Sequence, residues 1–131
     1  MKPFPARFFG VGDLLLGLQP RFWPGYFGPF SRKHEFADVG DEAVPERELL
    51  VGSFGLIPHW SKEATIARRT YNARSETLHQ KPSCRDAWKA ARHCVIPAEA
   101  IYEPDRRSGK AVSTRITRAD GMPMGNAGIW G

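Results

Sequence analysis

Asn72 and Arg74 stand two residues apart in the stretch Thr70-Tyr71-Asn72-Ala73-Arg74-Ser75-Glu76, and on an extended backbone that spacing turns both side chains to one side. An amide and a guanidinium on one face can grip a phosphate or a sugar oxygen, because Arg offers a fork of donors and Asn adds a donor and an acceptor. Asn72 in a turn, with Arg74 paired to Glu76, fits the spacing equally well. Glu103 follows Ile101-Tyr102 at the end of the run that begins Cys94-Val95-Ile96-Pro97-Ala98-Glu99-Ala100. A carboxylate buried at the end of an apolar strand has a raised pKa and suits proton transfer; the alternative is a rim carboxylate paired with Arg106 or Arg107. His59 and Trp60 close the segment Phe54-Gly55-Leu56-Ile57-Pro58-His59-Trp60. A ring on such a loop either stacks on an unpaired base or enters the core. His34, His79 and His93 have no evident partner. The three segments set polar groups and two proline corners beside short apolar runs, the make-up of a polar pocket on a β scaffold.

The elements that must position these residues are short. Leu49–Ile57 reads as a strand in which Gly52 and Gly55 mark close backbone approach or a bulge, and Pro58 ends it. Ser61 caps a helical turn running through Arg69. Ser83–His93 is the best helix, with Ser83 as N-cap, Asp86 in the first turn, and Ala87, Trp88 and Ala91 on one face. Val95-Ile96 and Ala100-Ile101-Tyr102 read as strand pieces separated by Pro97. Beyond the polar loop Glu103–Lys110, Ala111–Thr117 alternates like a half-buried strand, and Asp120-Gly121 is a hairpin turn that pairs Met122–Trp130 back onto it. Upstream, Met1–Gly10 reads as an aromatic arm and Val11–Leu18 as a short helix. Gln19–Phe30 reads as a loop dense in Pro, Gly and aromatics, and Ser31–Glu48 as a charged loop.

The 131 residues suit one domain spanning 1–131, and a 41% hydrophobic composition is enough to bury a core. The 13 Gly and 11 Pro favour a turn-rich, strand-containing fold over a helical bundle. The net charge of +5 is uneven: residues 61–118 hold 13 Lys or Arg against 6 Asp or Glu. That bias suits a phosphate-bearing partner, although a solvated basic face explains it too. Cys84 and Cys94 form no CxxC pair and have no ligand at metal spacing, so neither a metal nor a cofactor is expected. Two lone cysteines without a signal peptide point to a reducing, cytoplasmic setting. Leu14-Leu15-Leu16 is broken by Gly17 and Gln19, far short of the ~18 apolar residues of a membrane span, so no membrane segment is expected.

Four motifs in order carry a resemblance: Phe-Gly-Leu-Ile-Pro-His-Trp at 54–60, Asn-Ala-Arg-Ser-Glu-Thr at 72–77, Cys-Val-Ile-Pro-Ala-Glu-Ala-Ile-Tyr-Glu at 94–103 and Ala-Gly-Ile-Trp at 127–130. Together they resemble the SRAP family of SOS-response-associated peptidase-like, or abasic-site processing, proteins. The likeness covers Leu50 to the C-terminus and, more weakly, Trp23–Pro29, where Pro-Gly-Tyr-Phe-Gly-Pro stands in for an Asn-x-Ala-Pro corner. It implies an α+β fold of mostly antiparallel strands in a distorted barrel flanked by short helices, a monomer with a groove for single-stranded DNA bearing abasic sites. It also implies an N-terminal Cys whose amine and thiol capture the ring-opened aldehyde as a thiazolidine, a covalent DNA–protein crosslink. Asn72 resembles the family's active-site Asn, Glu103 its catalytic Glu and Arg74 its phosphate-binding Arg, while Trp60, with His59 beside it, resembles an aromatic at the DNA junction.

The chain departs from the family at both ends. Met1 is followed by Lys2 rather than Cys-Gly-Arg, and neither Cys84 nor Cys94 can replace an N-terminal aminothiol, because the ring needs both groups on one residue. The family's His, in a His-x-Arg-Met-Pro-like segment, is expected beyond Gly131. The chain therefore reads as the middle of such a protein, a partial domain without the nucleophilic Cys. Two other readings are a single-stranded DNA-binding module that has lost the chemistry and a thiol peptidase or autopeptidase, the latter disfavoured by Lys2.

Overall fold

The computed structural model describes residues 24–131. The arm Met1–Gly10, the helix Val11–Leu18 and the first part of the aromatic loop lie outside the described residues. Six strands carry the fold: β1 Phe27–Lys33, β2 Arg47–Ser53, β3 His93–Ala98, β4 Ile101–Asp105, β5 Val112–Ile116 and β6 Met124–Ile129, with a 3-10 helix Ala64–Arg69 and a helix α1 Arg85–Lys89 between β2 and β3. One sheet runs β2-β1-β3-β6 and a second is the ribbon β4-β5, every pair antiparallel. The larger sheet is open, with β2 and β6 at its edges, so the described residues do not close a barrel.

β1 replaces the loop expected through Phe30, although Pro29 lies inside it. The β1–β2 register places Pro29 opposite Val51. The same register continues to Tyr26, whose carbonyl accepts from Phe54 N at 2.8 Å, and to His34, whose N–H donates to Glu46 O at 3.0 Å. Even-numbered β1 residues therefore exchange bonds with β2, and Pro29 nitrogen faces away from it. By the same parity, Trp130 N donating to Arg92 O at 3.0 Å makes Pro97 nitrogen face away from β6. Both prolines thus point at the β1–β3 seam, where only Ser31↔Val95 and Arg32↔Cys94 pair. Continued in register, that ladder would set Pro29 against Pro97, two residues without N–H, and there it stops. β3 accordingly runs through Pro97, and the break between the two expected strand pieces falls after Ala98, β4 beginning at Ile101.

One side of the sheet carries Phe30, Leu50, Cys94 and Ile96 with Arg32 and Glu48 at the end. Phe30 leans over Gly52, where a Cβ would stand 2.7 Å from its ring, and Cys94 Sγ fills the space above Gly128, 2.9 Å from where a Cβ would be. Arg32 Nε donates to Glu48 at 2.7 Å, and its guanidinium lies 4.1 Å from the centre of the Trp130 ring, with Arg92 at 5.2 Å. On the other side Ser31, 1% exposed, accepts from Arg47 Nε at 3.2 Å. A second buried group, Ala67, Leu78, Cys84 and Ala87, lies in the connection between β2 and β3.

Three local expectations are corrected. The helix expected over Ser83–His93 covers only Arg85–Lys89: Ala91 takes φ 52°, and His93 is already in β3 opposite Ile129. Sheet pairing outweighs helix propensity there. Ser83 does not cap the helix, its hydroxyl lying instead against Cys84 Sγ at 3.5 Å. β6 pairs with β3 rather than β5, and β5 pairs with β4 through a turn held by Gly109 N donating to Arg106 O and by the Asp105–Arg107 bidentate pair. Asp120-Gly121 does make a turn, Gly121 N donating to Arg118 O, but it leads from one sheet to the other.

Candidate nucleic-acid interface

Two of the three motif segments are stapled together. Leu56 N donates to Thr70 O at 3.2 Å, and the Thr70 hydroxyl lies 2.6 Å from Leu56 O and 3.1 Å from Ile66 O, both acceptors for it. The Phe54 and Tyr71 rings meet edge to face at 5.9 Å. Gly55 makes this closeness possible: φ 104° turns the chain out of β2, and a Cβ there would stand 2.6 Å from Ala67 O. Nothing in the sequence spacing marks Thr70 as the staple.

The loop 72–74 leaves this staple directly. Arg74 O accepts from Thr77 N at 3.1 Å and from Leu78 N at 2.9 Å, and Leu78 is buried, so the Arg74 backbone is fixed by the turn it opens. Asn72 and Arg74 are both exposed. Among the described residues neither side chain has a partner, and Arg74 does not take up Glu76. Trp60, 50% exposed, donates Nε1–H to Pro82 O at 3.4 Å, and His59 Nδ1 lies 3.8 Å from Asp86. The His59-Trp60 loop is thus tied to the entry of α1.

Glu103 stands elsewhere, on the β4–β5 ribbon opposite Thr114, and is exposed. The burial expected from Ile101-Tyr102 is absent, because β4 shows only intermediate burial at Ile101 and Asp105. Nor does Glu103 pair with Arg106 or Arg107. Arg107 binds Asp105 instead, and the side-chain hydrogen bond from that guanidinium, followed by the bond from its backbone N–H, holds the Asp105 carboxyl below its ordinary 3.8. Trp88, which the spacing sets on one face with Ala87 and Ala91, is 44% exposed, whereas Ala87 is buried.

The connection is basic. From Lys62 to Arg92 there are eight Lys or Arg against three Asp or Glu, and all eight basic residues are exposed. Both cysteines are buried. Burial pushes the Cys94 thiol up to about 11, the positive charge of Arg47 offsetting this only in part. Among the described residues no three of His, Cys, Asp and Glu converge as a metal site requires, and no helix is long and apolar enough to cross a membrane.

The family model for SOS response associated peptidase (SRAP) matches residues 21–131, and the chain belongs to that family. It is similar to the abasic site processing protein YoqW of Bacillus subtilis (strain 168), at 46% identity over 78 residues, 59% of this chain and 34% of that protein. To the abasic site processing protein HMCES of Gallus gallus it is 34% identical over 91 residues, 66% of this chain and 26% of that protein. A crystal structure of a Bordetella bronchiseptica protein superposes with a TM-score of 0.66 at 48% identity, over 86% of this chain and 51% of that one. One from Bacteroides thetaiotaomicron gives a TM-score of 0.51 at 29% identity, over 63% and 38%. The chain spans about a third or less of the length of these curated relatives.

Proposed function

We propose that this chain is the DNA-engaging part of an abasic-site processing protein and that it holds single-stranded DNA along residues 54–77. In this reading Arg74 takes a phosphate, Asn72 positions the sugar of the abasic site, Trp60 with His59 stacks at the DNA junction, and Glu103 moves the proton. The observation that carries it is the Arg74 guanidinium: exposed, without a partner among the described residues, on a backbone fixed by Thr77 and Leu78, and joined through Thr70 and Leu56 to the segment bearing Trp60. The basic excess from Lys62 to Arg92 supplies the long-range attraction.

In the whole protein the covalent step is capture of the ring-opened aldehyde by an N-terminal Cys. The amine adds to the carbonyl carbon and water leaves, giving an imine; the thiol then adds across the C=N bond, its proton passing to nitrogen, and a thiazolidine closes with no change of oxidation state. The closed barrel belongs to the same reading, with β2 and β6 as the edges that further strands pair. A second reading, a binding module without the covalent step, is favoured by one observation: Cys84 and Cys94 are both buried, and burial pushes the Cys94 thiol up to about 11, so neither sulfur is presented to a substrate.

Fluorescence anisotropy with labelled single-stranded DNA tests the interface. Affinity should fall steeply with salt, and Arg74→Ala should weaken it and reduce the logarithmic salt slope by about 1. Binding indifferent to salt sinks the proposal. A denaturing gel after incubation with abasic single-stranded DNA separates the two readings: an adduct that survives denaturation supports covalent capture, and salt-sensitive binding without one supports the module.

A further inference from the structure

Helix α1 presents an unassigned surface. Cys84 and Ala87 face inward and are buried, whereas Arg85, Trp88 and Lys89, spaced i, i+3 and i+4, share the outward side and are all exposed. The Trp88 indole is 44% exposed and backed by the His93 ring at 5.1 Å, tilted by 58°. Arg85 Nε lies 3.6 Å from Asp86, an exposed pair too weak to occupy the guanidinium, and Lys89 has no partner among the described residues. The same helix entry receives the His59-Trp60 loop through Pro82 O and Asp86.

We propose that Trp88, with Arg85 and Lys89 on either side, is a second base-stacking platform that extends the single-stranded DNA path beyond Trp60. This rests on the reading that residues 54–77 hold single-stranded DNA. An aromatic face between two cations fits this occupant: the ring takes a base of any identity and the cations take the flanking phosphates.

The test uses the whole chain and a labelled oligothymidylate of about 15 nucleotides, within the span of single-strand sites. Trp88→Ala should weaken binding about fivefold or more, as expected for loss of one stacked base. Lys89→Glu, at an exposed position without a partner, should weaken it and lower the salt slope, while Trp88→Phe should keep most of the affinity. Trp88→Phe should also reduce the quenching of intrinsic tryptophan fluorescence on adding DNA, a signal that a merely structural Trp88 does not produce. If Arg74→Ala weakens binding but Lys89→Glu and Trp88→Phe leave affinity and quenching as in the parent, the platform is overturned and the reading of 54–77 stands. If the parent shows no salt-sensitive binding, both fail. Should Trp88→Ala lose its urea transition, Lys89→Glu and the Trp88→Phe quenching decide the matter.

Discussion

Replacing Gly55 by Ala tests whether the staple between the first two motifs is a steric necessity. The added Cβ would stand 2.6 Å from both the carbonyl oxygen and the Cβ of Ala67 and 2.9 Å from its Cα, and the atoms that must move are largely backbone. The φ of 104° adds a second cost. Strain of this kind costs ~1–3 kcal/mol and overpacking a further ~1–3 kcal/mol, so the sum is ~2–6 kcal/mol. With a urea m-value of ~2 kcal/mol/M, a loss of ~4 kcal/mol lowers the unfolding midpoint by ~2 M. Gly40 is the internal control: its φ is 78° but a Cβ there meets nothing within 4 Å. Gly40→Ala should therefore cost only the strain, ~1–2 kcal/mol. Circular dichroism of both variants across a urea series gives the comparison, and the difference between them measures the close approach itself. Equal midpoints for the two would refute the claim that Gly55 is held by Ala67. Because Leu56, Thr70 and the loop 72–74 follow from that contact, Gly55→Ala should also weaken single-stranded DNA binding below the urea concentration at which it unfolds.

The buried thiols give a pH prediction. Cys94 titrates at an ordinary 9.0 when unfolded and at about 11 when folded, so the folded state keeps its proton longer. Stability from this group is present below 9.0 and is lost as pH rises towards 11, and urea midpoints should fall across that window. Iodoacetamide at pH 8 followed by mass spectrometry should leave Cys84 and Cys94 unmodified in the native chain and modify both in denaturant; rapid native labelling would show that they are not enclosed. Glu48→Ala removes the partner of the part-buried Arg32 at 2.7 Å and should cost ~1–3 kcal/mol, read from the same urea transitions. Arg107→Ala should let the Asp105 carboxyl rise back towards 3.8 in a carboxyl NMR titration, since Arg107 is the first cause of its lowering.

How far the chain was legible depended on whether the deciding force was local. Gly55 was marked as a point of close approach from its place in a strand pattern, and it is one, because a backbone that must pass another leaves a local trace. Asn72 and Arg74 were legible as two polar side chains close together on one stretch, and both are exposed. Helical spacing sets Trp88 on one face with Ala87 but does not say where the buried face ends, and the two differ in exposure. The α1 boundary and the partner of β6 were hidden for the same reason: both are decided by β3, which takes His93 from the helix and Ile129 from the hairpin by non-local pairing. Glu103 illustrates the converse, an apolar approach that packs only on a two-stranded ribbon and so leaves the carboxylate outside.

Pro29 and Pro97 show how two residues that each looked like a local corner act jointly. Each nitrogen faces the seam between β1 and β3, and the register that pairs Ser31 with Val95 would set them opposite each other. A position of that kind exchanges two N–H···O bonds in an antiparallel ladder, and here both donors are missing. The two-residue ladder is then explained by absent donors rather than by a bend or an intruding side chain. Pro97→Ala supplies one donor, facing the Pro29 carbonyl, and one new bond contributes ~0.5–1.5 kcal/mol. The freed φ of residue 97 costs ~0.4–1 kcal/mol through the unfolded chain and the loss of two buried ring methylenes ~1–2 kcal/mol more, so the variant should be slightly less stable. Hydrogen exchange followed by NMR should nonetheless find a slowly exchanging amide at residue 97, because it now lies in a ladder between two paired strands. If that amide exchanges as fast as one in an open loop, β1 and β3 are held apart at this point by something other than their prolines.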